Sequence, residues 1–331
     1  MQNYVNNRLD LNRTGTRRNK NFYAHSVSEC AFLLFRQKGE HMQIGIIGGG
    51  KVGCCLAAYF QQAGILQGIT AAHAEKTARL AARFAVPALS NLELAYKSEI
   101  IFITVPDRSI AAAAEELVQQ ADGGMLSGKV FLHCSGSLGL EPLAALRAAG
   151  AYTGSCHPLQ SFAGGATSLQ GVYMAVDGDA TAAAAAADIV RLLGGKPFAV
   201  PPEDRKLYHA AACFCSNYVV AAAAIGQQIM ERWLHDKTAA WQALLPLFQG
   251  TAENLRQAAA AGQALTGPIA RGDCSTVSGH LEVLPEEYLS AYCSLGLEAV
   301  QLALANGTID SDTVRQLKQL LQNPEVKKND R

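Results

Sequence analysis

Met42-Gln43-Ile44-Gly45-Ile46-Ile47-Gly48-Gly49-Gly50-Lys51-Val52-Gly53 is the stretch on which the fold turns. Gln43–Ile47 is a short apolar run without polar alternation, the pattern of a strand buried on both faces. Lys51–Ala63 reads as a helix with small residues on its packing side. Between them Gly48, Gly50 and Gly53 form G-x-G-x-x-G. Gly48 suits a tight turn, Gly50 lets a pyrophosphate approach the backbone, and Gly53 lets helix and strand pack closely. The N–H groups and partial positive charge at the helix start favour phosphate. Strand, glycine loop and helix in this order point to a dinucleotide, with Gly48, Gly49, Gly50, Lys51, Val52 and Gly53 as its cradle.

Outward from this loop, strands and helices alternate. Strands are expected at Ile65–Thr70, Ile100–Val105, Lys129–His133, Tyr152–His157, Val172–Val176 and Pro197–Val200. Helices are expected at Glu75–Phe84, Glu141–Ala149 and Thr181–Leu193. Such alternation implies parallel pairing in a doubly wound α/β sheet. Pro201 and Pro202 end this regime. Asp204–Met230, Lys237–Gln249, Thr251–Ala261, Glu286–Ala305 and Ser311–Gln322 all carry a helical period. The expected layout is a dinucleotide-binding domain over 42–200, an all-helical substrate or dimerisation domain over 201–322, and a cleft between them. Residues 323–331 are read as a disordered tail. Residues 1–41 lack a sustained apolar period and a secretory cleavage pattern. They are read as a disordered extension or a start assigned too early, in preference to an Arg-rich transit peptide.

Composition narrows the function classes. In 331 residues, Lys+Arg and Asp+Glu are both 28 and charged residues make up 17%. A protein bound to nucleic acid would show a basic excess, so a small-molecule partner is expected instead. The first 41 residues hold seven Lys/Arg against three Asp/Glu, leaving 21 against 25 for the rest. Nine cysteines, with no CxxC pair, indicate buried thiols of a reducing, cytoplasmic setting. His and Asp/Glu do not cluster at ligand spacings, so no metal is expected. Ala210–Met230 is long enough to cross a bilayer but holds Ser216, Asn217, Gln227 and Gln228. It is read as a buried helix at the centre of the helical domain.

Cofactor type is set where the second strand ends. An acid there binds the ribose 2′-hydroxyl of NAD and repels a 2′-phosphate. Thr70-Ala71-Ala72-His73-Ala74-Glu75-Lys76 has no acid at the tip, which favours NADP over NAD. It also lacks an Arg, leaving His73 and Lys76 as substitutes.

Further segments resemble a known family: Val105-Pro106-Asp107, His133-Cys134-Ser135-Gly136, Cys156-His157-Pro158-Leu159-Gln160-Ser161-Phe162, Lys206-Leu207-Tyr208-His209 with Ser216-Asn217, and Leu265-Thr266-Gly267-Pro268-Ile269-Ala270-Arg271-Gly272-Asp273. Over about Met42–Gln322 the chain resembles bacterial Rossmann-like NADP oxidoreductases whose C-terminal helical domain has no established function. It is more distantly similar to 6-phosphogluconate dehydrogenase, ketopantoate reductase and deazaflavin-dependent NADP reductase. The resemblance implies a cofactor on the N-terminal sheet and a helical domain that dimerises.

Val105-Pro106-Asp107 lies at a strand end, where ligands bind in open α/β sheets; Asp107 is either a ligand contact or a helix cap. His133 and His157 end two more strands. Ser135 and Gly136 are then expected beside the nicotinamide, and His157 at the cleft floor. The related superfamily places Lys and Asn one turn apart on the first long helix of its second domain. Here Asn217 is present, but four residues earlier stands Cys213. His209, two turns before Asn217 on the same expected helix, is the substitute proton donor. Arg271 is expected to hold a carboxylate, oriented by or simply paired with Asp273; His280 is a weaker candidate. The expectation is an NADP-linked oxidoreductase acting on a small polar substrate, a 2-oxo acid such as ketopantoate or an imine. The missing lysine favours a rival, a dinucleotide-binding sensor or scaffold without turnover.

Overall fold

The computed structural model describes residues 42–162 and 167–323; the expectations for residues 1–41 and for most of the C-terminal tail lie outside them. Two compact units divide between Phe214 and Cys215, later than the Pro201–Pro202 boundary read from the sequence.

The first unit is built on a seven-stranded sheet. Its strands are β1 (Ile44–Ile47), β2 (Leu66–Thr70), β3 (Ile100–Ile103), β4 (Val130–His133), β5 (Tyr152–Pro158), β6 (Tyr173–Gly178) and β7 (Lys196–Ala199), in the order β2-β1-β3-β4-β5-β6-β7. Every residue of β1, β3 and β4 is buried, as continuous apolar runs require when both faces are covered. Alternate side chains go to opposite cores. Ile44, Ile46, Phe102 and Leu132 pack beneath α1 (Lys51–Gln62), α2 (Ala74–Phe84) and α6 (Ala180–Leu192). Ile47, Ile101, Ile103 and Phe131 pack beneath α3 (Asn91–Lys97), α4 (Ile110–Gln120) and α5 (Ala144–Ala148). The doubly wound reading holds.

One pairing departs from it. β5 and β6 are antiparallel, with Ser155 opposite Asp177 and His157 opposite Ala175. A parallel return needs a crossover, usually a helix. The connection from Leu159 to Val172 contains none among its described residues, so the chain turns back beside β5. α6 then carries it over to β7, parallel to β6.

The expected helix over Asp204–Met230 is two helices, α7 (Arg205–Cys215) and α8 (Asn217–Leu234), separated at Ser216 with φ −129° and ψ −77°. The unit boundary falls at this break. No proline or glycine marks the break, so the helical period read straight across Ser216 and Asn217.

The second unit contains α8, α9 (Lys237–Gln257), α10 (Cys274–Val283), α11 (Glu286–Ala305) and α12 (Ser311–Gln322). Helix α9 runs through Pro246 and Gly250, where two helices were expected. Val277, Leu281, Val300, Val314 and Leu317 form the core of this unit. α8 was expected to lie buried, yet none of its residues is. Pro202–Leu234 is the one stretch among the described residues long and apolar enough to cross a membrane, by length and composition only.

Candidate functional site

The glycine loop leaves β1 at the carboxyl end of the sheet. Gly48 has φ +124°, a left-handed conformation that favours glycine, and a Cβ there would lie 2.7 Å from Val105 N. At Gly53 a Cβ would lie 2.0 Å from the Gly48 carbonyl, so α1 and the loop touch through backbone. Gly50 differs: a Cβ would meet only Thr104 O, at 3.9 Å. Space above Gly50 is therefore not taken up by packing and is free for a ligand. Gly50 caps α1 without a side-chain bond, and no acid occupies the first turn at Lys51 and Val52. A pyrophosphate fits this arrangement of shape and dipole. Thr104, which the sequence reading passed over, fixes the loop: its hydroxyl donates to the Gly48 carbonyl at 2.7 Å.

At the ends of β3 and β4, Asp107 caps no helix; Pro106 precedes it as the N-cap of a short 3₁₀ turn. Its Oδ2 instead accepts from Ser135 Oγ at 2.7 Å and Ser137 Oγ at 3.2 Å. This clasp joins the Val105-Pro106-Asp107 turn to the Ser135-Gly136 turn. His133 is fully used inside: Nε2 donates to the Gly139 carbonyl at 2.8 Å, and Nδ1 accepts from Ser135 N–H at 3.2 Å. Burial lowers its pKa and holds it neutral. Burial also keeps Cys134 and Cys156 as thiols, the latter with its pKa pushed up to about 12.

The first turns of α7 close over this edge. Arg205 is 1% exposed. Its Nη2 donates to the Ser135 carbonyl at 2.8 Å, and Nη1 lies 3.8 Å from Asp177 Oδ2 on β6. The next turn brings Tyr208 and His209 to His157. Tyr208 Oη and His157 Nδ1 are 2.7 Å apart, and the His157 and His209 rings meet edge-on at 6.0 Å. Gly136 faces both imidazoles: a Cβ there would lie 2.7 Å from His209 Nδ1 and 2.8 Å from His157 Nε2. His209 Nδ1 is buried without a hydrogen-bond partner. Burial, reinforced by the charge of His209, depresses His157 to about 4, and burial pushes Tyr208 up to about 12. The cluster is thus neutral at His157 and protonated at Tyr208 near pH 7.

Gly136, His157, Tyr208 and His209 are brought together within the first unit. Asn217 and Arg271 belong to the second unit. Asn217 opens α8 beyond the Ser216 break, so the continuous-helix argument that set it two turns from His209 does not hold. Arg271 ends a 3₁₀ turn in the second unit. Asp273 forms no ion pair with it; its carboxylate caps α10, accepting from Thr276 N–H at 3.0 Å, Thr276 Oγ1 at 2.6 Å and Ser275 Oγ at 2.8 Å. These bonds bring Asp273 down to about 2. His280 is engaged with Tyr292 Oη at 2.8 Å.

A cavity of about 770 Å³ opens beside Gly49 and Gly50 and follows α1. Lys51, Lys76 and Arg83 line it, whereas His73 does not and serves as the N-cap residue of α2. Arg83 was not singled out from the sequence. Its signal was the spacing i, i+7 from Lys76, one face of a helix.

Comparison with known proteins divides the chain earlier than the two compact units do. Residues 35–158 match the family model described as a Rossmann-like domain, and residues 172–299 the model described as a domain of unknown function, DUF2520. Curated proteins give no match. Among solved structures, a candidate NADP oxidoreductase from Bacteroides fragilis shares 18% identity, with TM-score 0.61, over 84% of this chain and 98% of that one. A 1-pyrroline-5-carboxylate reductase from Streptococcus pyogenes shares 17%, with TM-score 0.52, over 85% and 99%. A reductive aminase from Aspergillus terreus, in complex with NADPH and ethyl levulinate, shares 17%, with TM-score 0.53, over 86% and 93%. At these identities the likeness establishes the fold.

The depressed His157 makes stability depend on pH. Its folded pKa of about 4 lies below the ordinary value of 6.5, so the unfolded chain takes up the proton first. Stability should fall as pH drops from about 6.5 towards 4 and should not fall further from this group below that. Urea denaturation across pH 3–8 of the parent and of His157→Gln checks this; the variant should lose that part of the slope.

Proposed function

Because the chain joins a Rossmann-like domain to a domain of the DUF2520 family, we propose that it is an NADP-dependent oxidoreductase acting on a small polar substrate, a 2-oxo acid or an imine. The observation that carries the reading is the position of the His157–Tyr208–His209 cluster at Gly136, on the same sheet edge as the glycine loop. Open α/β sheets bind their ligands at that edge. The fold shared with the NADPH-bound reductive aminase is in keeping with it.

The residues divide the work. Gly50 and the first turn of α1 would hold the pyrophosphate, while Val105, Pro106, Ser135 and Gly136, in the turns after β3 and β4, would border the nicotinamide. A bound NADPH supplies the hydride. Tyr208 donates to His157 Nδ1, which leaves the proton of that neutral ring on Nε2, facing Gly136. That N–H is a fixed donor able to polarise a carbonyl oxygen or imine nitrogen. His209 Nδ1 is buried and without another partner; in its imidazolium form His209 would deliver the proton that completes reduction from that nitrogen and be left as the neutral ring. Ser135 and Asp107 keep the Gly136 backbone in place. Asn217 and Arg271, on the helical unit, are retained as proposed substrate contacts, with Arg271 suited to a carboxylate.

The helical unit is read as the site of a homodimer. Tyr218, Val220 and Trp233 of α8 and Leu247 of α9 are exposed large apolar residues, and a helix apolar on several faces calls for cover. Sedimentation without detergent should give a dimer; a monomer, or insolubility without detergent, would count against it.

The main test is titration of the purified protein with NADPH and NADH, then screening of oxo acids and imines for nucleotide oxidation. Gly50→Asp, which has room for its side chain, should abolish binding by setting a carboxylate against the pyrophosphate. Unaltered affinity in that variant would mean the loop holds no dinucleotide. His209→Ala should lower turnover by roughly 10²-fold or more with nucleotide affinity nearly intact. Unchanged turnover would remove His209 as proton donor.

A further inference from the structure

We infer that Lys76 and Arg83, on the outward stripe of α2, form the subsite that recognises a ribose 2′-phosphate and so set the nucleotide preference of this chain. The inference rests on the reading that the glycine loop holds a dinucleotide, and it assigns a selectivity role to a residue far from the strand tip where such a role was sought.

Four observations carry it. First, the β2 tip is closed. Thr77 Oγ1 accepts from Ala71 N–H at 2.9 Å and donates to the Ala71 carbonyl at 3.2 Å, while Thr70 Oγ1 donates to Asn91 at 2.6 Å. The polar groups of the tip are thereby engaged within the protein. Second, Lys76 and Leu80 of α2 lie against the loop. A Cβ on Gly49 would lie 2.3 Å from Leu80 Cδ1 and 3.6 Å from Lys76 Cε. The lysine stem thus passes beside the backbone that begins the phosphate cradle.

Third, Lys76 and Arg83 both border the cavity of about 770 Å³ that opens at Gly49 and Gly50. Lys51 is the third cation there, and among the described residues no Asp or Glu lines it. Among the described residues none of the three cations has an ion-pair partner. Three unpaired cations around one opening attract a dianion such as a phosphate monoester. Fourth, the Arg83 guanidinium lies 5.1 Å over the Phe84 ring. That contact holds a planar fork at the rim of the cavity, and such a fork binds phosphate bidentately.

The test is titration of the intact chain with NADPH, NADH and adenosine 2′,5′-bisphosphate, followed by fluorescence or calorimetry. The parent should bind NADPH and the bisphosphate well and NADH weakly. Arg83→Ala and Lys76→Ala should each weaken NADPH and the bisphosphate by about 10- to 100-fold while leaving NADH unchanged. Arg83→Lys should recover part of the loss. Arg79→Ala removes an exposed cation of the same helix that does not line the cavity, and it should leave the ratio alone. Equal loss in Arg79→Ala would reduce the effect to general charge and overturn the subsite. An unchanged NADPH-to-NADH ratio in Arg83→Ala, with both nucleotides still bound, would overturn it while sparing the dinucleotide reading. A parent that binds none of the three would overturn the dinucleotide reading itself, and the subsite with it.

Discussion

A guanidinium sealed from water is costly unless the groups around it hold it in place. Arg205 is such a group, and the candidate site is arranged about it. Its bond to the Ser135 carbonyl ties the start of α7 to the turn after β4, and its approach to Asp177 reaches β6. Because α7 is fixed there, one further turn places Tyr208 and His209 over His157. The same turn of β4 presents Gly136 to both rings. One side chain therefore sets the relation among three strand ends and a helix.

The charge state of the cluster follows from the same enclosure. Burial lowers His157 and raises Tyr208, so both favour their uncharged forms over the whole neutral range. Asp107 is turned away by its two serines and offers the imidazoles no direct bond. The site thus differs from one built around a lysine. His157 and Tyr208 are held uncharged beside the buried Arg205 guanidinium, while the exposed cations Lys51, Lys76 and Arg83 stand apart, along α1 and α2.

Much of this was legible in the sequence where a single physical rule acts alone. Unbroken apolar runs identified the central strands, since only burial on both faces suits them. The glycine spacing identified the loop, because backbone contact leaves room for nothing larger at Gly53. Glu286–Ala305 and Ser311–Gln322 were read to the residue, bounded as they are by Pro285 and the capping Asp310. What escaped depends on contacts between distant positions. The alanine-rich stretch through Ser216 has no local breaker, so the division of α7 from α8 was invisible, and with it the fact that His209 and Asn217 stand on different helices. The orientation of β6 depends on how the chain returns after β5, which periodicity does not encode. α3 and α10 carry plain signals in their caps, the Ser90–Glu93 capping box and Asp273, but both follow short connections that read as loop. Arg205 and Arg83 look like ordinary surface cations until the fold shows that one is entombed and the other edges a cavity.

The antiparallel pairing of β5 with β6 has a consequence for the integrity of the chain. The two family matches stop and restart on either side of it, at 158 and 172, yet a single sheet runs across without a gap. A polypeptide ended at that seam would keep β5 paired with β4 but leave its other edge without a partner, an open template for another strand. It would also lose Asp177 and the whole of α7. The divide that sequence similarity draws is therefore no place at which the molecule can be cut: the last two strands complete the sheet of the first unit while belonging, by sequence match, to the segment that continues into the helices.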